Sequence, residues 1–437
     1  MPNTEPLKIK HHSLTGRITL KLMHEAFRSV KRNKGKAGVD KVSIKMFEAN
    51  LEQNLLALMH DLKTRGKFQP MPARRSYIDK GGGKRRPLGI PTVRDRVAQE
   101  VLRRLLTPLF EPLFHNDSHG FREERSCHTA MMRLQEIADE GYRHVFDADV
   151  KGFFDQIPHA VIMRGLSNVI ADGNVLDLVE RFLRAGVMED GVIHPTTVGT
   201  PQGGVLSPLL ANMALNFLDW HLDELGLRFV RYADDFVVLC RTERQAKEAW
   251  HAVEQFLTER LGLTLSPEKT RLTTFRKGFS FLGFDVQSHS VKMRAKSVEK
   301  FKTRIRELTR RSHNLDAKQI VKLNAVVRGV ARYFATPFST CRDQFRQLDR
   351  WYRMRLRCMK TKRKHRSDNH RIKVKHIRRW NVVLLSDFLC STRMTSSRLS
   401  LRGGNSVRGS RRETLPTGPP DARKTHTGKY GELTPLR

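Results

Sequence analysis

Apolar and polar residues alternate along residues 228–240, and a period of two is typical of a strand with one buried face. Two adjacent acids, Asp234 and Asp235, stand at the centre of this run, directly after Tyr232 and Ala233. Like charges do not fit the half-buried middle of a strand, because they repel each other. The pattern predicts a β-hairpin with the acids at its turn.

The residues after this hairpin predict a helix and a short strand. Residues 242–245 have the sequence of a capping box, and an apolar stripe continues at helical spacing from Ala246 to Leu257. Gly262 is suited to end the helix, and a strand is predicted at residues 263–265. The order hairpin, helix, strand is typical of an α+β sheet and leaves the acids exposed to a substrate at its edge.

The regions on either side have different patterns. Helices are predicted at residues 20–32 and 47–62, and three glycines at residues 81–83 separate two strand-like pieces, as a hairpin loop does. From residue 297 onward the periodicity is helical. Three helices are predicted there, around residues 301–308, 320–330 and 345–352.

The net charge of the chain indicates which kind of partner it binds. The chain carries 81 Lys and Arg against 45 Asp and Glu, a formal charge of +36, which favours a polyanion such as nucleic acid. A membrane surface is the rival partner, but no stretch of 18 or more apolar residues occurs, and the first residues lack the apolar core of a signal peptide. We therefore expect a cytoplasmic protein with no membrane partner. The five cysteines form no C-x-x-C pair, so neither a disulfide framework nor a zinc module is indicated.

A third acid, Asp149, ends a strand-like run at residues 145–149. Adjacent acids in a hairpin repel unless a cation holds them, and Mg²⁺ prefers hard oxygen ligands that it shares between carboxylates and a substrate phosphate. The acids therefore indicate a phosphoryl-transfer enzyme. The plainer alternative for Asp235 is a polar residue of an ordinary hairpin turn.

Other short motifs accompany the acids. In chain order they are an arginine-rich segment at 84–99, SHGFR at 118–122, the block around Asp149, the P-Q-G loop at 199–208, YADD at 232–235, SPEKT at 266–270 and FLG at 281–283. Together they resemble the reverse transcriptases encoded by bacterial group II introns, across roughly residues 60–290. The resemblance implies an α+β right-hand polymerase with fingers and an antiparallel-sheet palm, followed by an all-α thumb.

On this resemblance the chain divides into four parts. They are an N-terminal extension (1–60), the reverse transcriptase fingers and palm (61–290), a helical thumb or maturase domain X with a basic C-terminal part (291–395) and a basic, disordered tail (396–437).

The resemblance also assigns the catalytic groups. Asp149, Asp234 and, more loosely, Asp235 are implied to hold two Mg²⁺ ions, with Mn²⁺ as a substitute, and Val150 belongs to both the metal-binding and the dNTP-binding sets. The ions lower the pKa of the primer 3′-hydroxyl and neutralise the departing pyrophosphate. Lys269 is a candidate general acid for the pyrophosphate.

Further residues are implied to bind the nucleotide. Phe154 is expected to stack beneath the sugar and clash with a 2′-hydroxyl, and Gln202 and Gly203 are expected to line the site. Lys80 and Arg86, on either side of the glycine loop, are expected to grip the triphosphate, because cationic side chains match phosphate oxygens. Each residue also has a plainer interpretation. Phe154 could be a core aromatic, Gln202 a simple loop residue, and Lys80 and Arg86 solvated cations on the surface.

Residues 323–334 resemble domain X of the same family, which acts as the polymerase thumb and helps to bind intron RNA. Residues 351–380 hold thirteen Lys and Arg and one acid, too dense a charge for solubility alone. The candidate RNA- or DNA-binding residues are Arg328, Arg353, Arg357, Lys362, Arg363 and Lys364. The chain has no Cys/His cluster of a zinc nuclease, so we expect no endonuclease activity, and mobility from a pre-existing primer such as a nascent strand.

The implied function is RNA-directed DNA synthesis together with assistance to the splicing and mobility of the intron RNA. The expected partners are the intron RNA, an RNA template with its DNA primer, a DNA target and dNTPs, and a homodimer is left open. One alternative is a domesticated or defence-type, retron-like reverse transcriptase, which would lack the similarity to domain X. The other is an RNA-binding splicing factor without polymerase activity.

Overall fold

The computed structural model describes residues 10–79, 85–363, 367 and 371–389. Lys80, Lys364, the glycines at 81–83 and the 396–437 tail lie outside the described residues. The chain forms two compact units, Met1–Leu282 and Gly283–Arg437. Within the described ranges, no helix is long and apolar enough to cross a membrane.

The first unit contains most of the helices. Its described α-helices are α1 (Leu20–Asn33), α2 (Ile44–Ala49), α3 (Leu51–Lys63), α4 (Val93–Phe110), α5 (Cys127–Asp139), α6 (Phe153–Gln156), α7 (His159–Val169), α8 (Gly173–Arg184), α9 (Ser207–Glu224) and α10 (Glu243–Phe256). Many begin after a residue whose side-chain oxygen accepts a hydrogen bond from an N–H of the first turn, which satisfies a donor that the helix leaves free. These residues are Thr19, Ser43, Thr92, Ser126, Asp172 and Thr242.

The strands of this unit form two sheets and one further strand. They are β1 (Ala73–Asp79), β2 (Arg85–Ile90), β3 (His144–Asp149), β4 (Val187–Glu189), β5 (Val192–His194), β6 (Arg228–Tyr232), β7 (Asp235–Cys240), β8 (Arg271–Thr274) and β9 (Phe279–Phe281). One sheet has the order β2-β1-β4-β5, with β1 and β4 parallel. The other has the order β6-β7-β3-β8 and is antiparallel throughout.

The antiparallel sheet is covered by helices. Phe146 of β3 stacks on Trp250 of α10 with ring centroids 5.4 Å apart. Along β7, every residue from Phe236 to Cys240 is buried. A mostly buried antiparallel sheet beneath helices is the α+β arrangement expected of the palm.

Local predictions around the paired acids can be compared with the structure. The hairpin is confirmed as β6 and β7. Thr242 accepts a hydrogen bond from the Gln245 N–H at 3.1 Å, as a capping box requires, but the Gln245 side chain accepts from the N–H of Arg241 rather than from Thr242. Gly262 ends the helical segment with a φ of +62°, as predicted.

The strand predicted at residues 263–265 is wrong. Only Leu265 makes a bridge, with Val150, and the sheet is completed instead by β8. The N–H of Lys151 donates to the Thr264 carbonyl at 2.9 Å, so this segment meets the chain just after β3 ends. A short apolar run does not by itself specify which strand lies beside it.

The hairpin predicted around the triple glycine is confirmed for its strands. β1 and β2 are antiparallel neighbours, with Asp79 opposite Arg85. The loop between them lies outside the described residues.

The second unit begins with a hairpin and continues with helices. Its elements are β10 (Phe284–Gln287), β11 (Ser290–Met293), α11 (Ala295–Leu308), α12 (Ala317–Phe334), α13 (Arg342–Thr361) and α14 (Val374–Arg379). The three predicted helices are confirmed as α11, α12 and α13. The Phe284 ring packs on the rings of Tyr333 and Phe334, and both carboxylate oxygens of Asp349 accept main-chain N–H bonds, from Leu385 and Ser386.

Candidate active site

The turn between β6 and β7 is two residues long. Tyr232 and Asp235 are paired in register, so Ala233 and Asp234 form the turn itself. Ala233 has a φ of +59°, a left-handed conformation that costs energy for a residue with a Cβ, and such a φ at the first turn position is typical of a type II′ turn. The turn presents Asp234 at its tip and Asp235 at the start of β7.

Asp149 reaches the same end of the sheet from the neighbouring strand. It is the last residue of β3 and lies directly opposite Asp235 of β7. Burial raises the pKa of Asp234 above its ordinary value, and the negative charge of Asp149 raises it further. Arg86 and Lys269 act in the opposite direction. Three carboxylates therefore share one edge, and the charge of Asp149 acts on Asp234.

A cation already lies on one of these acids. The Lys269 ammonium donates to both carboxylate oxygens of Asp149, at 2.8 and 2.9 Å. A turn fixes this lysine in place, because the Ser266 N–H donates to the Asp149 carbonyl at 2.7 Å and the Lys269 N–H donates to the Ser266 carbonyl at 3.1 Å. Lys269 is thus a counter-ion of Asp149. Its predicted role as a general acid stays a prediction.

The donor set fits a hard divalent cation. Carboxylate oxygens are the ligands that Mg²⁺ prefers, and Asp149, Asp234 and Asp235 bring such oxygens to one edge of the sheet. In the described ranges, however, no three acidic, His or Cys side chains are already gathered as ligands. Such gathering requires the cation itself, because carboxylates without one repel each other. Val150 has a buried side chain, so only its main chain is suited to a ligand.

Phe154 lies on the helix that follows Asp149. Gly152, with a φ of +54°, precedes α6, and this short helix carries the buried Phe153 and the half-buried Phe154. The Phe154 ring meets that of Phe121 edge-on at 6.3 Å. Its carbonyl accepts a hydrogen bond from the Thr200 N–H at 2.7 Å, which ties the P-Q-G loop to the base of α6.

The P-Q-G loop is held from two sides. The Gln202 amide donates to the Asp155 carboxylate at 3.0 Å, and the Gln202 carbonyl accepts from the Gly89 N–H at 2.8 Å. Gly203 has a φ of +104°, and a Cβ on it would lie 2.8 Å from the Gly89 carbonyl oxygen. Only glycine fits there without displacing the backbone. Gln202 and Gly203 are thus fixed against both β2 and α6.

Of the two cations predicted to bind the triphosphate, the structure describes only Arg86. Arg86 is an exposed residue of β2, and its charge acts on Asp234. Lys80 lies outside the described residues. The assignment of both to the triphosphate stays a prediction.

The predicted RNA-binding residues of the second unit are not equivalent. Arg328 on α12 and Arg363 are exposed, and Arg353 is half-buried. Arg357 donates to the Ile372 carbonyl at 2.8 Å, and Lys362 donates to the His313 carbonyl. These last two side chains therefore make contacts within their own unit.

Sequence reasoning missed a group of buried polar residues behind the turn. Arg231 and Asp219 are fully buried and ion-paired, and Asn212 hydrogen-bonds Arg231. One signal was available: Asn212, Asn216 and Asp219 form a polar stripe at helical spacing in the largely apolar helix α9. A buried polar stripe requires partners, and Arg231 is one of them.

Two further positioning residues were also missed. Asp155 holds Gln202, as described above. Gln99, on α4, accepts hydrogen bonds from the N–H groups of Val205 and Leu206, at 2.8 and 3.4 Å. No sequence pattern distinguishes these polar residues from ordinary surface ones.

Comparison with known proteins gives the family. The reverse transcriptase (RNA-dependent DNA polymerase) family matches residues 78–286, and the group II intron maturase-specific domain matches residues 298–380. Protein YkfC of Escherichia coli is 34% identical over 284 residues, which are 56% of this chain and 74% of YkfC. The chain belongs to the group II intron reverse transcriptase/maturase family.

Other members of this reverse transcriptase family match over smaller shares of their length. The group II intron-encoded protein LtrA of Lactococcus lactis is 32% identical over 54% of this chain, and this match spans only half of LtrA. The putative COX1/OXI3 intron 1 protein of Saccharomyces cerevisiae is 30% identical over 64% of this chain and 39% of its own length. A solved structure, a partial Cas6-RT-Cas1–Cas2 complex, aligns at 25% identity, over 56% of this chain and 41% of that one, with a TM-score of 0.36.

Proposed function

We propose that this reverse transcriptase is an RNA-directed DNA polymerase of a group II intron that also binds the intron RNA and assists its splicing and mobility. The observation that carries the polymerase assignment is the pairing of Asp149 with Asp235 beside Asp234, at an edge that Arg86 and Lys269 surround with positive charge. The proposed division is fingers and palm over 61–290 and thumb over 291–395, between the N-terminal extension (1–60) and the tail (396–437).

Two Mg²⁺ ions, replaceable by Mn²⁺, are proposed as the cofactors, held by Asp149, Asp234 and Asp235 with the main chain of Val150. When bound, they supply the Lewis acidity that activates a primer hydroxyl and neutralises pyrophosphate. The chain's own part is to hold the acids in place. Because the turn fixes Asp234 and the strand pairing fixes Asp149 against Asp235, little reorganisation is needed when charge develops.

The nucleotide is proposed to lie between the acids and the P-Q-G loop. Phe154 lies on α6, five residues after Asp149, and its carbonyl is hydrogen-bonded to the P-Q-G loop, which supports a place for its ring between the acids and the loop. A half-buried ring in this position favours a deoxyribose by excluding a 2′-hydroxyl. Gln202 and Gly203 line the opposite side, and Arg86 and Lys80 are proposed to bind the triphosphate.

The second unit is proposed to bind intron RNA. Support comes from the maturase-specific domain over residues 298–380 and from exposed cations such as Arg328 and Arg363. Phosphate contacts of this kind give binding that weakens steeply with salt. A DNA target is proposed as a further partner, on the basis of the family alone.

Incorporation of dTTP on poly(rA)/oligo(dT), with Mg²⁺, tests the polymerase assignment. We expect robust synthesis by the purified chain, lost in Asp234→Asn, with the fold checked by circular dichroism. An exposed acid away from the site, Asp139→Asn, serves as the matched control and retains activity. An inactive but folded wild-type chain that still promotes splicing of its intron RNA would favour the RNA-binding factor instead. Active synthesis without intron RNA binding would favour a retron-like enzyme.

A further inference from the structure

A fully buried ion pair lies directly behind the acidic turn. Arg231 of β6 and Asp219 of α9 have no exposed side-chain surface, and the guanidinium Nε donates to the carboxylate at 2.6 Å while Nη2 donates to its second oxygen. Burying two charges is costly unless the geometry of the pair and further hydrogen bonds offset the loss of hydration. A buried ion pair of this kind adds little to stability. Its role lies in the further contacts that Arg231 makes.

The pair holds the turn. The remaining Arg231 nitrogen, Nη1, donates to the carbonyl oxygen of Ala233 at 3.0 Å and to the side-chain oxygen of Asn212 at 3.0 Å. Asn212 in turn donates to the Gly120 carbonyl at 2.8 Å. Because the Ala233 carbonyl belongs to the peptide bond that leads into Asp234, the guanidinium fixes the residue immediately before that carboxylate.

Gly120 closes the other side of the turn. A Cβ on Gly120 would lie 2.3 Å from the Ala233 nitrogen and 3.0 Å from the Tyr232 carbonyl carbon, so the two backbones are in direct contact. The His119 N–H donates to the Arg231 carbonyl at 2.8 Å, which joins this segment to β6. The turn thus lies between a buried guanidinium and an adjacent backbone.

The turn needs this support for two reasons. Ala233 is held at a φ of +59°, which a residue with a Cβ adopts only when its surroundings fix it there. Asp234 also lies next to Asp235, which is paired with Asp149 across the sheet, and neighbouring carboxylates repel each other. The clamp opposes both effects.

We propose that Arg231 is a positioning residue for catalysis, acting through a clamp formed by Arg231, Asp219, Asn212 and Gly120. The clamp holds the Ala233–Asp234 peptide so that the Asp234 carboxylate meets the metal in one geometry. Arg231 touches neither the metal nor the substrate, since it is fully buried. This inference rests on the proposed polymerase function.

The test replaces the ion pair without leaving a lone buried charge. In Arg231→Met combined with Asp219→Leu, an apolar pair replaces both charges, so no lone charge is left buried. We expect this variant to fold with a lower melting temperature, because the Ala233 carbonyl and the Asn212 side chain lose their donor. Below that temperature we expect a kcat about 10- to 100-fold lower, as small misplacements of reacting groups produce, and little change in primer–template affinity. Mn²⁺ binding, measured by electron paramagnetic resonance without substrate, is expected to weaken.

The matched control is the pair Arg181→Met and Asp177→Leu. These residues form an ion pair on α8, with 2.8 Å between nitrogen and oxygen, and lie outside the clamp. The control variant should keep the wild-type kcat and Mn²⁺ affinity. A folded Arg231→Met, Asp219→Leu variant with both quantities within twofold of the wild type would overturn the proposal.

A second variant tests the clamp if the first does not fold. Gly120→Ala inserts one methyl group against Ala233, whereas Gly16→Ala adds one where nothing lies within 4 Å. We expect a lower kcat and weaker Mn²⁺ binding for Gly120→Ala alone, and equal values for both variants would overturn the proposal.

The two proposals fail in different ways. A wild-type chain that binds Mn²⁺ but makes no DNA refutes the polymerase function, while the Mn²⁺ comparison still tests the clamp. A wild-type chain that makes DNA, with clamp variants equally active, refutes only the clamp.

Discussion

The Lys269 ammonium lies 2.8 and 2.9 Å from the two carboxylate oxygens of Asp149. The same oxygens are proposed to bind the metal, so lysine and metal compete for them. The lysine is 63% exposed, which limits the strength of the ion pair to that of a surface pair. A bound metal would therefore displace it at low cost. The proposed role of Lys269 as general acid requires the released lysine to turn toward the pyrophosphate.

Removing this lysine is expected to separate its two effects. In Lys269→Gln, Mn²⁺ should bind about two- to fivefold more tightly, since a surface ion pair contributes ~0–1 kcal/mol. Single-turnover dTTP incorporation should nevertheless fall by about 10²-fold, the usual contribution of a general acid. Electron paramagnetic resonance and rapid quench measure the two quantities. Tighter metal binding with unchanged incorporation would leave Lys269 as a counter-ion only.

The hydrogen bond between Gln202 and Asp155 gives a prediction about nucleotide affinity. Because Asp155 holds the amide that is proposed to line the nucleotide site, Asp155→Ala should release the Gln202 side chain. We expect KM for dTTP to rise about fivefold, as loss of one hydrogen bond of ~1 kcal/mol implies, with kcat nearly unchanged.

Gln156, the exposed residue next to Asp155, provides the control for the measurement of KM. Gln156→Ala alters the same short helix without touching Gln202, so its KM should match that of the wild type. The Asp155→Ala, Gln202→Ala double variant should show no further increase over Gln202→Ala, since the two residues act as one unit. Additive increases in KM would contradict the positioning role of Asp155.

Several parts of this arrangement follow from sequence because they are local. The β6–β7 hairpin was predictable, since the strand period and the turn lie within thirteen residues. The position of Asp149 required only that a strand end at it. The helix cap at Thr242 was predictable from the threonine and the glutamine three residues later. The Gln245 side chain, however, accepts its hydrogen bond from the N–H of Arg241 and not from that of Thr242.

Other parts depend on which elements become neighbours, and no local pattern contains that information. Residues 263–265 have the composition of a strand, yet β8 takes the place beside β3. Arg231 interrupts an apolar run, and only the packing of α9 on β6 shows that Asp219 neutralises it. The contact of Gly120 with Ala233 joins segments more than a hundred residues apart. The clamp therefore depends on contacts between distant segments and was not predictable from the sequence. The positions of the acids depend on local patterns and were predictable.

The cations of the second unit provide a matched pair of variants. Arg328 is exposed on α12, whereas Arg357 donates to the Ile372 carbonyl. Arg328→Gln should weaken binding of intron RNA and reduce the slope of log affinity against log salt by about 0.7 to 0.9, the effect of one lost phosphate contact. Arg357→Gln should instead lower the melting temperature, because it leaves a carbonyl without its donor.

Filter binding across a salt series and thermal melts distinguish the two variants. A double variant should show the sum of both effects, since each acts on a different property. If Arg357→Gln reduced the salt slope while the melting temperature stayed constant, the assignment of that residue to an internal contact would be refuted.

Burial of Asp95 predicts how stability depends on pH. Asp95, on the first turn of α4, is 1% exposed, and burial raises its pKa to about 6, against the smaller opposing effects of Thr92, Met71 and Arg94. The Met71 N–H donates to one carboxylate oxygen at 3.0 Å, while the other oxygen is buried without a hydrogen bond. The negative charge of Asp40 adds to the increase in pKa.

The sign of the effect follows from proton binding. With a folded-state pKa above the ordinary value, the folded protein keeps a proton that the unfolded chain has released, so stability is full below about pH 4 and is lost as pH rises through about 6. Asp95→Asn lacks this titration. The free energy of unfolding of the wild type, relative to Asp95→Asn, should therefore fall by roughly 2 kcal/mol between pH 4 and pH 7. Urea unfolding of both proteins across this range measures it, and a difference that stays constant with pH would show that Asp95 is ionised at no cost in the fold.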